Sequence, residues 1–202
     1  MKKGKLFVVS GPSGAGKSSV LNNSLSGFDN FCYSVSVTTR EKRQGEIDGV
    51  SYFFISRNRF DEMVQNGELL EHAVYVSNGY GTPKKYVEDK LEAGINVILE
   101  IEIQGAKQIK EKCPDAVFIF IIPPTAGELR NRLTARGTES TETMEYRLKR
   151  AVDECNEAIF YDYLIINDNF EKATNELRSI FTSEQCRFDF DIITNFKEVN
   201  LK

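Results

Sequence analysis

The segment that most restricts the possible folds of this chain is Gly-Pro-Ser-Gly-Ala-Gly-Lys-Ser at residues 11–18. It fits a pattern of one glycine, four variable residues and then Gly-Lys-Ser or Gly-Lys-Thr, and it follows an apolar run at residues 6–9. In such a loop the backbone N–H groups and the N-terminus of the next helix face an anion. The segment predicts a loop that binds a nucleoside triphosphate, with Lys17 at the β- and γ-phosphates and Ser18 at a magnesium ion. The alternative is a glycine-rich turn that binds nothing.

The charge and the cysteines exclude several other classes of protein. The 202 residues include 26 basic and 30 acidic ones, and a net charge of −4 argues against binding to nucleic acid by neutralising its phosphates. The four cysteines are far apart and His72 is the only histidine, so neither a zinc site nor a disulfide framework is indicated. No apolar run is long enough to cross a membrane, and the first residues do not resemble a signal peptide. We expect a soluble, cytoplasmic domain that binds neither nucleic acid nor a membrane.

Short apolar runs alternate with longer amphipathic stretches, as in a parallel sheet whose strands are joined by crossover helices. The predicted strands, apolar enough to be buried on both faces, are residues 5–10, 96–101, 116–122 and 163–167. The predicted helices are residues 83–93, 105–112, 126–136, 141–158 and 170–184. Residues 31–82 interrupt this alternation with two segments that look like hairpin strands, 33–39 and 51–55, and predict an inserted subdomain.

A second basic cluster, at residues 36–46, indicates a second anion. Arg40 and Arg43 are three residues apart, and their guanidinium groups can converge on one dianionic phosphate. The alternative is a solvated charged loop. A further arginine-rich stretch, residues 125–147, has the composition of a mobile lid.

Together with the segments that follow it, the cluster at residues 36–46 resembles that of guanylate kinases, the nucleoside monophosphate kinases that phosphorylate GMP. The resemblance extends from about residue 4 to residue 184. Beyond the phosphate-binding loop it rests on motifs in the order of the family: SVSVTTR at 34–40, GEIDG at 45–49, YFF at 52–54, LEHA at 70–73, GYGT at 79–82, IQGA at 103–106, PP at 123–124, RGT at 136–138 and IIND at 165–168. The chain departs from the family pattern at Lys42, where proline is common, and at Glu100 and Glu102, where aspartate is frequent.

The resemblance implies an α/β fold, the P-loop nucleoside monophosphate kinase fold, in which helices flank a mostly parallel sheet. The core would comprise residues 4–32, 84–124 and 148–184, with a β-rich GMP-binding insertion at about 33–83, a helical lid at about 125–147 and a tail at 185–202. The implied reaction is transfer of the γ-phosphoryl group of ATP to GMP, and also to dGMP, with Mg²⁺ as the cofactor. The resemblance leaves open whether the protein is a monomer or a homo-oligomer.

The resemblance also implies roles for individual residues. The ATP site would comprise Gly11, Pro12, Ser13, Gly14, Ala15, Gly16, Lys17, Ser18 and Asn167. The GMP site would comprise Ser36, Arg40, Arg43, Tyr52, Glu71, Tyr80, Thr82 and Glu100. The Glu71 carboxylate would accept hydrogen bonds from N1–H and the exocyclic amine of guanine, a pair that adenine does not offer. The residues implied in catalysis are Lys17, Arg132, Arg136 and Arg147. Ser18 would bind Mg²⁺, with Glu100 or Glu102 acting through water, and either glutamate could instead accept from the guanine amine.

Each role has a plainer structural alternative. Glu71 could be a surface carboxylate, Tyr52 and Tyr80 half-buried aromatic residues, and the lid arginines partners in salt bridges, which is the role that we expect for Arg130 and Arg150. We expect no catalytic role for His72.

The resemblance also leaves alternatives for the function as a whole. A catalytically inactive guanylate-kinase-like module that binds proteins is one, and the intact Gly-Lys-Ser at residues 16–18 together with the lid arginines argues against it. Another nucleoside monophosphate kinase or a regulatory GTPase is a second. A GTPase would be expected to carry N-K-x-D, which the chain lacks.

Overall fold

The computed structural model describes residues 2–75, 77–135, 141–188 and 193–194. The strands in this part of the chain are β1 (Leu6–Ser10), β2 (Phe31–Tyr33), β3 (Val37–Thr38), β4 (Phe53–Phe54), β5 (Leu69–Tyr75), β6 (Asn78–Pro83), β7 (Asn96–Glu100), β8 (Val117–Ile122) and β9 (Tyr163–Ile166). The helices are α1 (Lys17–Ser24), α2 (Arg57–Gln65), α3 (Lys84–Glu92), α4 (Ile103–Lys112), α5 (Ala126–Ala135), α6 (Thr141–Glu157) and α7 (Phe170–Gln185). A short 3₁₀ helix, Ala158–Phe160, follows α6.

Five strands form a parallel central sheet in the order β2-β7-β1-β8-β9. Successive side chains of a strand point to opposite faces. In the central strand β1, Phe7 and Val9 therefore pack towards α1 and α7, whereas Leu6 and Val8 pack towards α3 and α4. Because the carboxyl ends of parallel strands lie at one edge of the sheet, the segments after β1, β7 and β9 border one crevice.

The predicted core elements are confirmed. The four predicted strands are β1, β7, β8 and β9, and the five predicted helices are α3 to α7, with ends that differ by at most two residues. The four cysteines are free thiols. None of the described helices combines the length and the apolar character that crossing a bilayer requires.

A second sheet, in the order β4-β3-β6-β5, is formed by the segment inserted between β2 and α3. Strand β6 pairs antiparallel with both β3 and β5. Helix α2 packs on this sheet through Phe60 and Met63, which join Val37 and Leu69 in a small separate core. The insertion thus has its own apolar core.

The segments 33–39 and 51–55, which look like hairpin strands in the sequence, contain β3 and β4, but these two strands do not form a hairpin with each other. Strands β3 and β4 pair in parallel, with Val37 opposite Phe53, because the chain between them runs through a separate loop instead of turning back directly. The bond from Gly49 N–H to the Tyr52 carbonyl (2.8 Å) closes that loop. Tyr33 belongs to the segment 33–39 that the sequence analysis placed in the inserted subdomain. It instead ends β2 and pairs with Ile98 in the central sheet.

Helix α2 was not predicted, although the sequence contains the signals for it. Ser56 caps its N-terminus by accepting a hydrogen bond from the Arg59 N–H (3.2 Å). Its apolar residues Phe60, Met63 and Val64 have the i, i+3, i+4 spacing of an amphipathic helix. The β-rich composition on either side of this short segment obscured the pattern.

Candidate active site

The predicted phosphate-binding loop connects the buried end of β1 to the first residue of α1. Gly11, Gly14 and Gly16 have φ angles of 149°, 91° and 86°, which side chains rarely tolerate. A Cβ at Gly11 would overlap the carbonyl oxygen of Ile121, and one at Gly16 would lie 2.6 Å from Nδ2 of Asn167. Helix α1 has no side-chain cap, so no capping side chain satisfies the N–H groups of its first turn.

Lys17 and Ser18, the first two residues of α1, lie at the opening of the loop. The Lys17 ammonium donates to the carbonyl oxygens of Gly11 (2.6 Å) and Pro12 (3.2 Å) and so lies across the loop. The Ser18 hydroxyl donates to Oε1 of Glu100 (2.7 Å), the last residue of β7. This contact brings together two oxygen ligands of the kind that Mg²⁺ prefers.

Asn167 follows β9 and supports the loop from the other side. Its side chain is buried, and Nδ2 donates to the carbonyl oxygen of Ala15 (2.8 Å). Its carbonyl oxygen accepts from the guanidinium of Arg132 (2.9 Å), which also pairs with Glu128 (2.8 Å). Arg132 therefore forms the ion pair that was expected as its structural alternative. It also contacts Asn167, which supports the phosphate-binding loop.

Arg147, another arginine of the predicted lid, also contacts the phosphate-binding loop. Arg147, on α6, donates to the Ser13 hydroxyl (2.9 Å). Arg136 lies outside the described residues. Arg130 pairs with Glu145 (2.7 Å), which is the structural role expected for it.

A cavity of about 650 Å³ opens beside the loop and reaches from Pro12 and Lys17 to α6. Its other lining residues include Tyr52, Glu100, Glu102, Arg147, Arg150 and Glu154. Arg150 has the salt-bridge role expected for it, and its partners are Glu102 (3.1 Å) and Glu154 (3.2 Å). Burial raises the pKa of the Glu154 carboxyl, and the charge of Arg150 opposes this shift.

A smaller cavity of about 140 Å³ adjoins the first and shares the walls formed by Tyr52, Glu100 and Ile101. Its other lining residues include Ser36 and Thr82, both predicted for the second site. The two cavities therefore meet at the end of β7, between the core and the insertion.

Glu71 on β5 is buried, with only 6% of its surface exposed, so the alternative of a surface carboxylate is wrong. Oε1 accepts a hydrogen bond from the buried Thr82 hydroxyl (2.7 Å), which is the one donor to this carboxyl group among the described residues. Burial raises the pKa of the Glu71 carboxyl, while the Thr82 hydrogen bond and the charge of Lys112 act in the opposite direction. A buried carboxylate with unused acceptor sites is suited to a ligand that brings two N–H donors.

Arg40 contacts two aromatic residues of the insertion. Its guanidinium lies 5.5 Å from the ring centre of Tyr52 and 5.8 Å from that of Phe54, and the Tyr52 ring centre is 6.1 Å from that of Tyr80. The predicted residues Arg40, Tyr52 and Tyr80 are thus brought together, whereas the neighbouring Arg43 is exposed.

Glu46 is a site residue to which sequence reasoning gave no role. Its two carboxylate oxygens accept from both ends of the Arg40 guanidinium (2.7 and 3.0 Å), and Oε2 also accepts from the Arg43 N–H (2.7 Å). The Arg40 hydrogen bond lowers the pKa of Glu46 to about 2. The signal was present, since Glu46 belongs to the GEIDG motif at residues 45–49. The Arg40 fork therefore already binds two oxygens of one anion, as it would bind a phosphate.

A family model, curated relatives and a solved structure name the same family. The family model described as "Guanylate kinase" matches residues 3–184. The guanylate kinase of Clostridioides difficile (strain 630) is 49% identical over 201 residues, which cover 98% of each chain. That of Lactococcus lactis subsp. lactis (strain IL1403) is 48% identical over 188 residues, covering 93% of this chain and 92% of the relative. The crystal structure of guanylate kinase from Anaplasma phagocytophilum superposes with a TM-score of 0.69 at 35% identity, covering 92% of this chain and 88% of that one.

Proposed function

The chain belongs to the guanylate kinase family, and we propose which of its residues bind ATP, which bind GMP and which stabilise the γ-phosphoryl group during its transfer. The activity is that of an ATP-dependent nucleoside monophosphate kinase, which forms ADP and GDP. The observation that carries the assignment of residues is the meeting of two cavities at Tyr52 and Glu100, one beside the phosphate-binding loop and one beneath the insertion.

ATP is assigned to the larger cavity. The N–H groups of residues 11–18 and the N-terminus of α1 bind its phosphates, and Lys17 exchanges the carbonyls of Gly11 and Pro12 for the β- and γ-phosphate oxygens. Asn167 keeps the loop in this shape through its bond to Ala15. Because the loop is preformed, little backbone ordering is needed when the triphosphate binds.

The protein offers few oxygen ligands at the loop, which fits a Mg²⁺ ion whose other ligands come mainly from the bound triphosphate. The Ser18 hydroxyl and the Glu100 carboxylate lie in contact, with Glu102 on the wall of the same cavity. Within the described residues no three acidic, histidine or cysteine side chains form a metal cluster. Mg²⁺ commonly binds in this way, through one or two protein oxygens together with phosphates and water. When bound, it neutralises charge on the triphosphate, and Ser18 would hold it, with Glu100 or Glu102 acting through water.

The phosphate of GMP is assigned to Arg40, Arg43, Tyr52 and Tyr80. Arg40 offers a planar pair of donors, which donate to the two carboxylate oxygens of Glu46 and would exchange them for two phosphate oxygens. The tyrosine hydroxyls can donate to the remaining phosphate oxygens. No general base is needed, since the attacking phosphate oxygen is already ionised near neutral pH.

The guanine base is assigned to the smaller cavity, and Glu71, which lies behind its lining residue Thr82, is assigned to distinguishing guanine from adenine. N1–H and the exocyclic amine of guanine would donate to the buried carboxylate, whereas adenine would bring an unprotonated nitrogen to it. Thr82 donates to Glu71, and Ser36 borders the same cavity. Glu100 can accept from the guanine amine if it does not act on Mg²⁺.

Arg132 and Arg147 are assigned to stabilising the phosphoryl group in transit, together with Arg136. Both described arginines already touch the phosphate-binding loop or the segment that supports it. Transfer passes through a loose, in-line transition state, in which positioning and charge stabilisation supply most of the catalysis. We assign residues of about 125–147 to a lid that excludes water and residues of about 33–83 to the GMP-binding insertion. The tail, residues 185–202, receives no role. We also place the enzyme in the cytoplasm.

A turnover experiment with a panel of acceptors tests this function. With Mg²⁺ and ATP, GMP and dGMP should be phosphorylated far faster than AMP, CMP or UMP. Equal turnover of AMP would overturn the assignment of Glu71 and its cavity to guanine. Absence of turnover with every acceptor would instead favour the inactive protein-binding module, which retention of Lys17, Ser18 and the lid arginines argues against.

A further inference from the structure

Glu71 lies in an irregularity of its strand. Leu69 pairs with Pro83 and His72 with Gly81, so Leu70 and Glu71 of β5 together face the single residue Thr82 of β6. A bulge of this kind redirects a side chain and leaves backbone groups outside the regular ladder. β5 is also the edge strand of its sheet, so these groups need partners from outside the sheet.

Helix α4 of the core supplies those partners on both sides of Glu71. The Gln108 side chain donates to the His72 carbonyl (2.9 Å) and accepts from the His72 N–H (3.1 Å). The Lys112 ammonium donates to the carbonyls of Leu69 (3.2 Å) and Leu70 (2.7 Å). Gln108 and Lys112 are four residues apart and thus share one face of the helix.

Gly105, three residues before Gln108, lies on the same face of α4 and meets the Glu71 carboxylate itself. A Cβ at this position would lie 2.8 Å from Oε2 and 3.3 Å from Cδ of Glu71. To restore ordinary contact the carboxylate would have to move by roughly half an ångström, which is the tolerance of a well-organised site. Gly105 belongs to the IQGA motif at residues 103–106, for which the proposed function gives no role.

We propose that helix α4 is a specificity-determining element, in which Gly105 provides the space for the Glu71 carboxylate while Gln108 and Lys112 fix the bulge that carries it. These are positioning residues, which act on guanine through Glu71. The proposal rests on the assignment of Glu71 to guanine recognition. Through the contact between Gly105 and Glu71, the core would determine the preference of the insertion for GMP over AMP.

Gly105→Ala tests the proposal through the ratio of kcat/KM for GMP to that for AMP. We expect this ratio to fall roughly 10-fold to 100-fold, with the KM for ATP unchanged, because a small displacement of a recognition group has an effect of this size. Gly127→Ala is the matched control. It is also a glycine in the first turn of a helix, and its added Cβ would meet only the Thr125 hydroxyl at 3.7 Å. Because Gly127 belongs to the lid, any effect on kcat applies to GMP and AMP alike, so the ratio should not change.

Gln108→Met provides a second variant that introduces no clash. It keeps the length of the side chain and removes both bonds to His72, and we expect the ratio to fall in the same direction. Thermal unfolding of each variant distinguishes a folded protein with altered selectivity from an unfolded one. If Gly105→Ala does not fold, Gln108→Met decides the question.

A double-mutant cycle separates positioning of Glu71 from a general structural role. In the Glu71→Gln background, Gly105→Ala should change the ratio by less than about twofold, because the guanine preference has already been removed. An effect as large as in the wild type would overturn the proposal, as would an unchanged ratio in both Gly105→Ala and Gln108→Met. If Glu71→Gln by itself leaves the ratio unchanged, the assignment of Glu71 to guanine fails, and this proposal fails with it.

Discussion

Replacing Glu71 with glutamine separates recognition of guanine from the other functions of the site, because it keeps the size of the side chain and removes its charge. The amide oxygen can still accept from Thr82 or from one guanine donor. The amide NH₂ group replaces the second acceptor with donors and would face an N–H of the base. Since Glu71 is buried, water cannot easily restore the lost interaction.

The expected loss follows from the hydrogen bonds involved. Each of the two bonds from guanine to a carboxylate contributes about 1.5–3 kcal/mol, whereas the single bond that glutamine retains contributes about 0.5–1.5 kcal/mol. The difference is roughly 2–5 kcal/mol, which corresponds to a fall of roughly 30-fold to 5000-fold in kcat/KM for GMP. The value for AMP should stay the same or rise, because the carboxylate no longer faces the unprotonated nitrogen of adenine.

Steady-state assays of ADP formation with GMP and AMP as acceptors measure this effect. The KM for ATP should stay at the wild-type value, because the donor cavity does not include Glu71. Glu68→Gln is a suitable control, since Glu68 lies three residues earlier and pairs with Arg59 away from both cavities. A GMP preference within about threefold of the wild type, in a variant that folds normally, would refute the reasoning.

Three further predictions concern the phosphate site, the lid and the pH dependence of stability. Arg40→Lys should raise the KM for GMP roughly 10-fold to 100-fold, since lysine lacks the planar fork, and Arg59→Lys in the same insertion should not; equal effects would contradict the assignment of Arg40. Arg132→Lys should lower the rate constant of phosphoryl transfer, measured in single-turnover assays, roughly 100-fold or more, whereas Arg130→Lys should leave it unchanged. The native pKa of Glu71 lies above its ordinary value of 4.5, so between these two values the folded state binds more protons than the unfolded state. The free energy of unfolding, measured with urea, should therefore fall as the pH rises through this window, and Glu71→Gln should remove that component; an identical pH dependence in the variant would count against the raised pKa.

The sequence could predict those parts of the fold that depend on neighbouring residues. The loop at residues 11–18 is contiguous, so its glycines and the helix that follows could be recognised without knowledge of Asn167, which supports the loop from another strand end. The core strands are short apolar runs buried on both faces, so their positions could be read without knowledge of their partners. The resemblance to a family then supplied the candidate residues of the second site.

The insertion was harder to predict because its pairing is not local. A run of β-forming residues indicates a strand and does not specify its partner, so the parallel pairing of β3 and β4 was missed. The same limitation applies to Glu46. The GEIDG motif marks Glu46 as part of the site but does not specify its partner, because the contact with both ends of the Arg40 guanidinium depends on the path of the intervening loop.

By itself, then, the sequence determined the triphosphate-binding loop, the succession of core strands and helices, and the types of residue available for a second nucleotide. Only the tertiary structure decided that Glu71 is buried, that a bulge redirects it towards Thr82, and that Gly105 on α4 leaves room for its carboxylate. The physical reason is the range of the interactions. Helical and strand periodicity and turn chemistry act over a few residues, whereas the contact between Glu71 and Gly105 joins two separate elements whose approach is set by the packing of the whole domain.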